Sequence, residues 1–243
     1  MRTALLTVVT VVRNGAAHLE ETIQSVICCC PRPIDYVVID GGSTDGTLEI
    51  IRRYAASIRY WSSEPDGGIY HAMNKGWAAA GEGSFVLYLG AGDRLLSLPS
   101  GLERYAANEV VCGSVQLGEG TVFTPRTGLH LRLYNSLHHQ ALLINKALHP
   151  EPPFDTRFPV YADFDFNQRL MKGGARFVFD PSFKSYALPG GVSDQSGIAE
   201  SLRVIGKNFG WSWSLLAGAG FVAMRTLPFL QRFRPFRETG RGA

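Results

Sequence analysis

Between residues 5 and 95, short β-branched runs alternate with stretches whose apolar residues recur every three or four positions. Leu5–Val12, Tyr36–Asp40, Ile58–Trp61 and Phe85–Leu89 read as strands, and Ala17–Cys28, Thr47–Ala56 and Tyr70–Ala80 read as amphipathic helices. Strand–helix–strand repetition constrains the fold strongly. Parallel neighbours need a crossover between them, and the crossover helices cover the sheet on both faces. The pattern therefore predicts an α/β, Rossmann-like, mostly parallel sheet flanked by helices. Ligands of such sheets lie beyond the carboxyl ends of the strands, so the Asp40–Thr47 and Gly90–Arg94 loops are expected on one rim. After residue 108 the elements shorten: strands at Val110–Leu117, Thr121–Pro125 and Gln140–Ile144, a helix near Asp163–Lys172, and a strand pair at Phe177–Phe179 and Phe183–Leu188.

Charge is unevenly placed. The chain of 243 residues has 24 Lys/Arg and 21 Asp/Glu, but residues 199–243 hold seven of the basic residues and only Glu200 and Glu238. That leaves 17 basic and 19 acidic residues in 1–198, a body unsuited to binding nucleic acid, followed by a basic tail suited to an anionic surface. Cys28, Cys29 and Cys30 are consecutive and Cys112 stands alone, so neither a disulfide framework nor a zinc site is expected, and the cysteines read as small apolar residues of a buried helix in a reducing compartment. The apolar run behind Arg2 lacks a small-residue cleavage site and reads as a first strand rather than a leader.

Three segments carry chemistry. Asp40-Gly41-Gly42-Ser43-Thr44-Asp45-Gly46-Thr47 closes strand two: its glycines let backbone approach a ligand, and Ser43, Thr44 or Asp45 suits the cap of the next helix. It is neither a Walker loop nor a dinucleotide turn. Glu64-Pro65-Asp66-Gly67-Gly68 is a turn by composition and leads into Tyr70-His71-Ala72-Met73-Asn74-Lys75, which sets polar groups one helical turn apart. Tyr88-Leu89-Gly90-Ala91-Gly92-Asp93 ends strand four with a carboxylate in a glycine-lined loop, the setting in which an acid holds a divalent ion against a diphosphate.

Together, IDGGSTDGT, EPDGGIYHAMNKG and YLGAGD resemble the nucleotide-binding half of the family 2 glycosyltransferases of the GT-A fold, in the bacterial branch that builds capsule, exopolysaccharide or lipopolysaccharide sugars. The resemblance covers roughly residues 4–190 and is strongest over 4–95. It implies an enzyme that takes a sugar nucleotide, usually of UDP, with Mg²⁺ or Mn²⁺. It places donor contacts at Thr10, Arg13, Asp40, Gly41, Asp66, Asn74 and Lys75, and the metal at Asp93. Two departures stand out. The second acidic position after strand two, expected to read the base, is Gly41, and the first carboxylate of the metal motif is replaced by Ala91 or Gly92. In the second half, Tyr161-Ala162-Asp163-Phe164-Asp165 followed by Arg169-Leu170 resembles the segment that carries the catalytic base, which maps to Asp163. An inverting transfer needs such a carboxylate to take the acceptor's proton. Two positions apart on a helix means about 200°, so only one of Asp163 and Asp165 can face the site. His139 and Gln140 match an acceptor-side pair, and Gly190-Gly191-Val192-Ser193 matches a loop over the donor.

These readings divide the chain into a domain at 1–198, with a nucleotide-binding half at 1–95 and an acceptor half at 96–198, and a basic amphipathic helical tail at 199–243. The tail has no charge between Lys207 and Arg225, which suits an interfacial segment or a helix packed on the domain better than a membrane span. The expected setting is the cytoplasmic face of an inner membrane, with a glycan or lipid-linked acceptor. A sugar nucleotidyltransferase and a catalytically degenerate sugar-nucleotide-binding protein are the alternatives.

Overall fold

A computed structural model describes residues 5–29, 34–118, 120–149, 151–191 and 198–226 of the chain. In order, the elements are β1 (Leu6–Val12), α1 (Leu19–Cys29), β2 (Asp35–Asp40), α2 (Thr47–Arg53), β3 (Tyr60–Ser63), α3 (Ile69–Ala79), β4 (Phe85–Gly90) and β5 (Arg94–Ser97). There follow β6 (Glu109–Leu117), β7 (Thr121–Phe123), α4 (Leu129–Leu133), β8 (Leu142–Asn145), α5 (Ala162–Lys172), β9 (Arg176–Ala187), α6 (Ile198–Phe209) and α7 (Trp211–Thr226).

One sheet runs β3-β2-β1-β4-β8-β6-β9-β5, with β7 paired to β6. Its first four strands are mutually parallel, Val12 lying beside Asp40 and Val11 beside Gly90. The chain leaves β1 toward β2 and β3, then returns to place β4 on its other side. That reversal opens a crevice at the carboxyl end of β1. Beyond β4 the sheet is mixed: β8 runs against both β4 and β6, while β9 lies parallel to β6.

β1 is buried on both faces, as a central parallel strand covered by two helical layers must be. On one face Val9 and Val11 pack with Met73 and Trp77 of α3, Phe164 and Phe166 of α5, and Val204 and Ile205 of α6. On the other, Val8 and Val12 pack with Leu19 and Ile23 of α1 and Ile51 of α2. Val204 and Ile205 are fully buried, so α6 is part of the packed core although the division at residue 198 assigns it to the tail.

Two local readings are corrected. The expected pair at Phe177–Phe179 and Phe183–Leu188 is a single strand, β9, whose pairing to β6 shifts register between Cys112 and Ser114. Pro181 breaks a strand by composition, but an irregularity in the ladder tolerates its missing N–H. Cys28 is exposed rather than buried, Cys112 is buried with its thiol pushed up to about 12 by desolvation, and Cys30 lies outside the described residues.

Candidate active site

The β1 and β2 loops are sewn together at the rim. Asn14, in the left-handed region at φ 51°, donates its N–H to Ser43 Oγ at 2.7 Å, and its side-chain oxygen accepts from the Thr44 N–H at 2.9 Å. Gly15 N–H donates to Thr47 Oγ1, and Ala16 N–H to Asp45 Oδ2, both at 3.0 Å. The polar residues of the octapeptide thus hold the neighbouring loop. The residue at the N-cap of α2 is Gly46, and the Asp45 carboxylate before it accepts the Thr47 N–H at the helix start at 3.0 Å. Arg13 stands exposed at this edge with no side-chain partner among the described residues. Asp40 is fully buried: its carboxylate accepts from Ser43 N–H at 3.0 Å, from Ser63 Oγ at 2.6 Å and from Ser43 Oγ. It organises the turn from beneath and is not open to a ligand.

Gly41 lies under the next loop. A Cβ built on it would stand 2.6 Å from Asp66 Oδ2 and 3.0 Å from Asp66 Cγ. No side chain fits at 41 while the Asp66 carboxylate occupies that space. Asp66 is steadied by accepting the Gly68 N–H on Oδ1 at 3.0 Å.

Asp93, the expected metal ligand, points inward. Only 5% of it is exposed. Oδ2 accepts the Gly90 N–H at 2.7 Å and Oδ1 the Leu188 N–H at 3.1 Å. Burial raises its pKa, opposed by the charge of His139 and by hydrogen bonds from Gly90, Leu188 and Gln140. A Cβ at Gly92 would meet Leu188 Cδ2 at 2.4 Å, so no carboxylate can stand there in this packing, and residue 91 is alanine. Among the described residues no three His, Cys, Asp or Glu side chains converge on a metal position. The residues present do not build a metal centre from protein ligands alone: they supply one carboxylate, and each of its oxygens already accepts a backbone N–H.

Asp163, in the first turn of α5, is the most elaborately held carboxylate at the site. Its Oδ1 accepts the Phe164 N–H at 2.7 Å and lies 3.1 Å from Tyr70 Oη, whose single O–H is shared with Val160 O at 2.7 Å. Asn135 Nδ2 is 3.5 Å from the same oxygen. His139 Nδ1 stands 3.6 Å from Asp163 Oδ2. Burial alone depresses the imidazole, but the hydrogen bond and charge of Asp163, together with the charge of Asp93, outweigh it and raise the His139 pKa. His139 therefore faces Asp163 and feels the charge of both carboxylates. Gln140, 9% exposed, donates toward Asp93, while its Oε1 has no partner among the described residues. Asp165 turns the other way, fully buried against Arg169, Lys207 and Asn208, as the helical angle between the two acids requires.

Of the expected donor contacts, Thr10 and Asn74 are engaged within the fold, and Lys75 is ion-paired beside the end of β3. Thr10 is fully buried in β1, its Oγ1 3.0 Å from Tyr36 Oη, because its position in the strand faces α1 and α2. Asn74 clamps the Phe154 backbone, donating to its O at 2.8 Å and accepting its N–H at 2.9 Å. Lys75 pairs with Glu64 at 2.9 Å and lines a cavity of about 450 Å³ with Arg59, Tyr60 and Ala79. Conversely, sequence inspection passes over Asn135, which sits in an irregular segment with no periodicity. Of the donor-loop segment, Val192 and Ser193 lie outside the described residues.

The sequence model described as Glycosyl transferase family 2 matches residues 7–162. The chain belongs to the family 2 glycosyltransferases. It is 31% identical over 178 residues to a PGL/p-HBAD biosynthesis glycosyltransferase of Mycobacterium bovis, covering 67% of this chain and 68% of that protein. It is 39% identical over 90 residues to an uncharacterized glycosyltransferase of Mycobacterium tuberculosis, covering 37% of this chain and 34% of that one. Among solved structures, S. aureus TarS 1-349 in complex with UDP-GlcNAc superposes with a TM-score of 0.65 at 19% identity, over 94% of this chain and 76% of that one. Against a longer TarS chain the overlap is 44% of its length. A mannosyltransferase of Pyrobaculum calidifontis in complex with GDP-Man and Mn²⁺ gives 0.56 at 18%, over 96% and 79%. At these identities the structural likeness concerns the GT-A fold of this family 2 enzyme.

Proposed function

We propose that this glycosyltransferase moves a sugar, with inversion, from a nucleotide-sugar donor to a hydroxyl of a growing, lipid-linked glycan, and that Asp163 is the catalytic base. The observation that carries this reading is the placement of Asp163 in the first turn of α5, beside Tyr70 and His139. In a single displacement the acceptor oxygen attacks the anomeric carbon as the bond to the diphosphate breaks, and the acceptor proton passes to Asp163. Tyr70 and the Phe164 N–H lie against Oδ1 of that carboxylate, and Oδ2, which faces His139 Nδ1 at 3.6 Å, is the oxygen that would take the proton. Arg13, exposed at the β1 loop, is suited to the donor phosphates, with Asp66 toward the nucleoside and His139 and Gln140 toward the acceptor. No step is assigned to Mg²⁺ or Mn²⁺, because the Asp93 carboxylate is held by two backbone N–H groups. A UDP complex of a structural relative supports UDP as the first donor nucleotide to try.

The division into a catalytic unit and a membrane-facing end is proposed with one change, α6 going with the catalytic unit. The apolar surface of α7 and the arginines after it would then meet the cytoplasmic face of an inner membrane. Measuring UDP release from a panel of UDP-sugars, with and without glycolipid acceptor, tests the proposal. Acceptor-dependent release supports it, and a chain that binds UDP-sugars but never turns over would favour a degenerate binding protein.

A further inference from the structure

On the reading that this rim binds a nucleotide sugar, one carboxylate is left in a position to choose the nucleotide. Asp40 is saturated by Ser43 and Ser63, Asp45 by Thr47 and Ala16, and Asp93 by Gly90 and Leu188, while Glu64 is paired with Lys75. Asp66 differs. Its Oδ1 is fixed by the Gly68 N–H at 3.0 Å, whereas Oδ2 receives no hydrogen bond from the described residues and lies over the bare Cα of Gly41. A carboxylate held by one oxygen, over a floor with no side chain, offers the other oxygen in a fixed direction.

Its place along the rim says what it meets. Asp66 and Gly41 stand at the ends of β3 and β2, two strand spacings, about 10 Å, from the crevice between β1 and β4. A diphosphate at that crevice puts the ribose hydroxyls near the β1 end and the far edge of the base near β2 and β3. We propose that Asp66 reads the base. Its Oδ2 accepts the ring N–H of uracil, thymine or guanine and rejects cytosine and adenine, whose corresponding ring nitrogen presents a lone pair. Two acceptors facing each other leave a buried charge without its donor, and that mismatch is the strongest form of hydrogen-bond discrimination.

Calorimetric titration of UDP, 2′-deoxy-UDP, CDP and GDP into the full chain and its Asp66→Asn and Asp66→Ala variants tests the assignment. The wild type should prefer UDP over CDP. Asp66→Asn keeps an oxygen for the Gly68 N–H and turns an amide donor toward the base, so the UDP-over-CDP preference should fall by about tenfold or more and shift toward CDP. Asp66→Ala should weaken UDP by about ten- to a hundredfold and leave the two nucleotides nearly equal. An Asn variant with unchanged unfolding and the wild-type UDP-to-CDP ratio overturns the assignment and leaves nucleotide binding standing. A loss confined to the preference for UDP over 2′-deoxy-UDP puts the carboxylate on the ribose and overturns it as well. A wild-type chain that binds neither UDP nor GDP overturns the sugar-nucleotide reading together with it.

Discussion

Replacing Asp163 by Asn keeps an oxygen for the Phe164 N–H and Tyr70 Oη and removes only the capacity to take a proton. Turnover should drop by about 10²–10⁴ while UDP affinity stays within about twofold of wild type. Steady-state kinetics and calorimetry on one preparation check this, and a parallel loss of UDP binding would make Asp163 structural. His139 gives a pH signature. Its pKa is raised in the folded chain above the ordinary 6.5 by Asp163 and Asp93, against the effect of burial. The folded state therefore holds this proton more tightly. The stabilisation is fully present below 6.5 and is lost as pH rises through the higher folded value. His139→Gln should flatten that part of a urea-midpoint profile against pH, and a profile identical to wild type would detach His139 from the pair. At Asp93 the prediction concerns the loop. Asp93→Asn turns an N–H₂ toward one of two backbone N–H groups, costing about 1–3 kcal/mol. Thermal unfolding should show the same loss with and without Mn²⁺, and a loss seen only with Mn²⁺ would make Asp93 a ligand after all.

At the scale of elements, α6 is docked by charge as well as by Val204 and Ile205. Lys207 Nζ reaches Asp165 Oδ1 at 2.8 Å and Asp155 Oδ2 at 3.0 Å, and Glu200 Oε1 accepts the Val160 and Tyr161 N–H groups just before α5. Lys207→Met should destabilise the chain by about 1.5–3 kcal/mol, the loss of a hydrogen bond to a charged group, because Arg169 and Asn208 still hold Asp165. Chemical denaturation measures this, and a change below about 0.5 kcal/mol would show that the Lys207 pairs do not help hold α6. The elements legible in the sequence are those whose periodicity is long: β1 to β4 and α1 to α3 lie within a few residues of the positions read from it. β5, with only Leu95 fully buried along four residues, has too little alternation to register. β9 reads as two strands because the local turn propensity of Asp180-Pro181 is overruled by eight cross-strand partners on β6.

Across the whole molecule, the basic excess of the sequence follows directly on α7 in the chain. Trp211, Leu215, Leu216 and Val222 are exposed on α7, Trp211 by 75%. The following residues carry Arg232, Arg234, Arg237 and Arg241 against Glu238 in a stretch outside the described residues. No described helix is long and apolar enough to cross a membrane. Each basic residue near an anionic leaflet adds about 1 kcal/mol, screened by salt, and the apolar face adds a term that salt does not weaken. Replacing Arg232, Arg234 and Arg237 by Gln should weaken sedimentation with anionic vesicles and lower its salt dependence. Unchanged binding would put the contact elsewhere. By itself, the sequence determined the parallel first half, the rim on which its loops gather and the family, because apolar period and loop chemistry are local properties. Tertiary structure alone decided which polar residues face the rim and which are engaged inside the fold. Asn74 and Thr10 are polar at plausible positions, yet one is clamped to the Phe154 backbone and the other is sealed beneath α1 and α2. Asp66 reaches the space over Gly41 only because the β2 and β3 loops fold against each other. Side-chain direction at a rim is set by which loops touch, and contacts between residues far apart in the chain leave no period for a sequence to display.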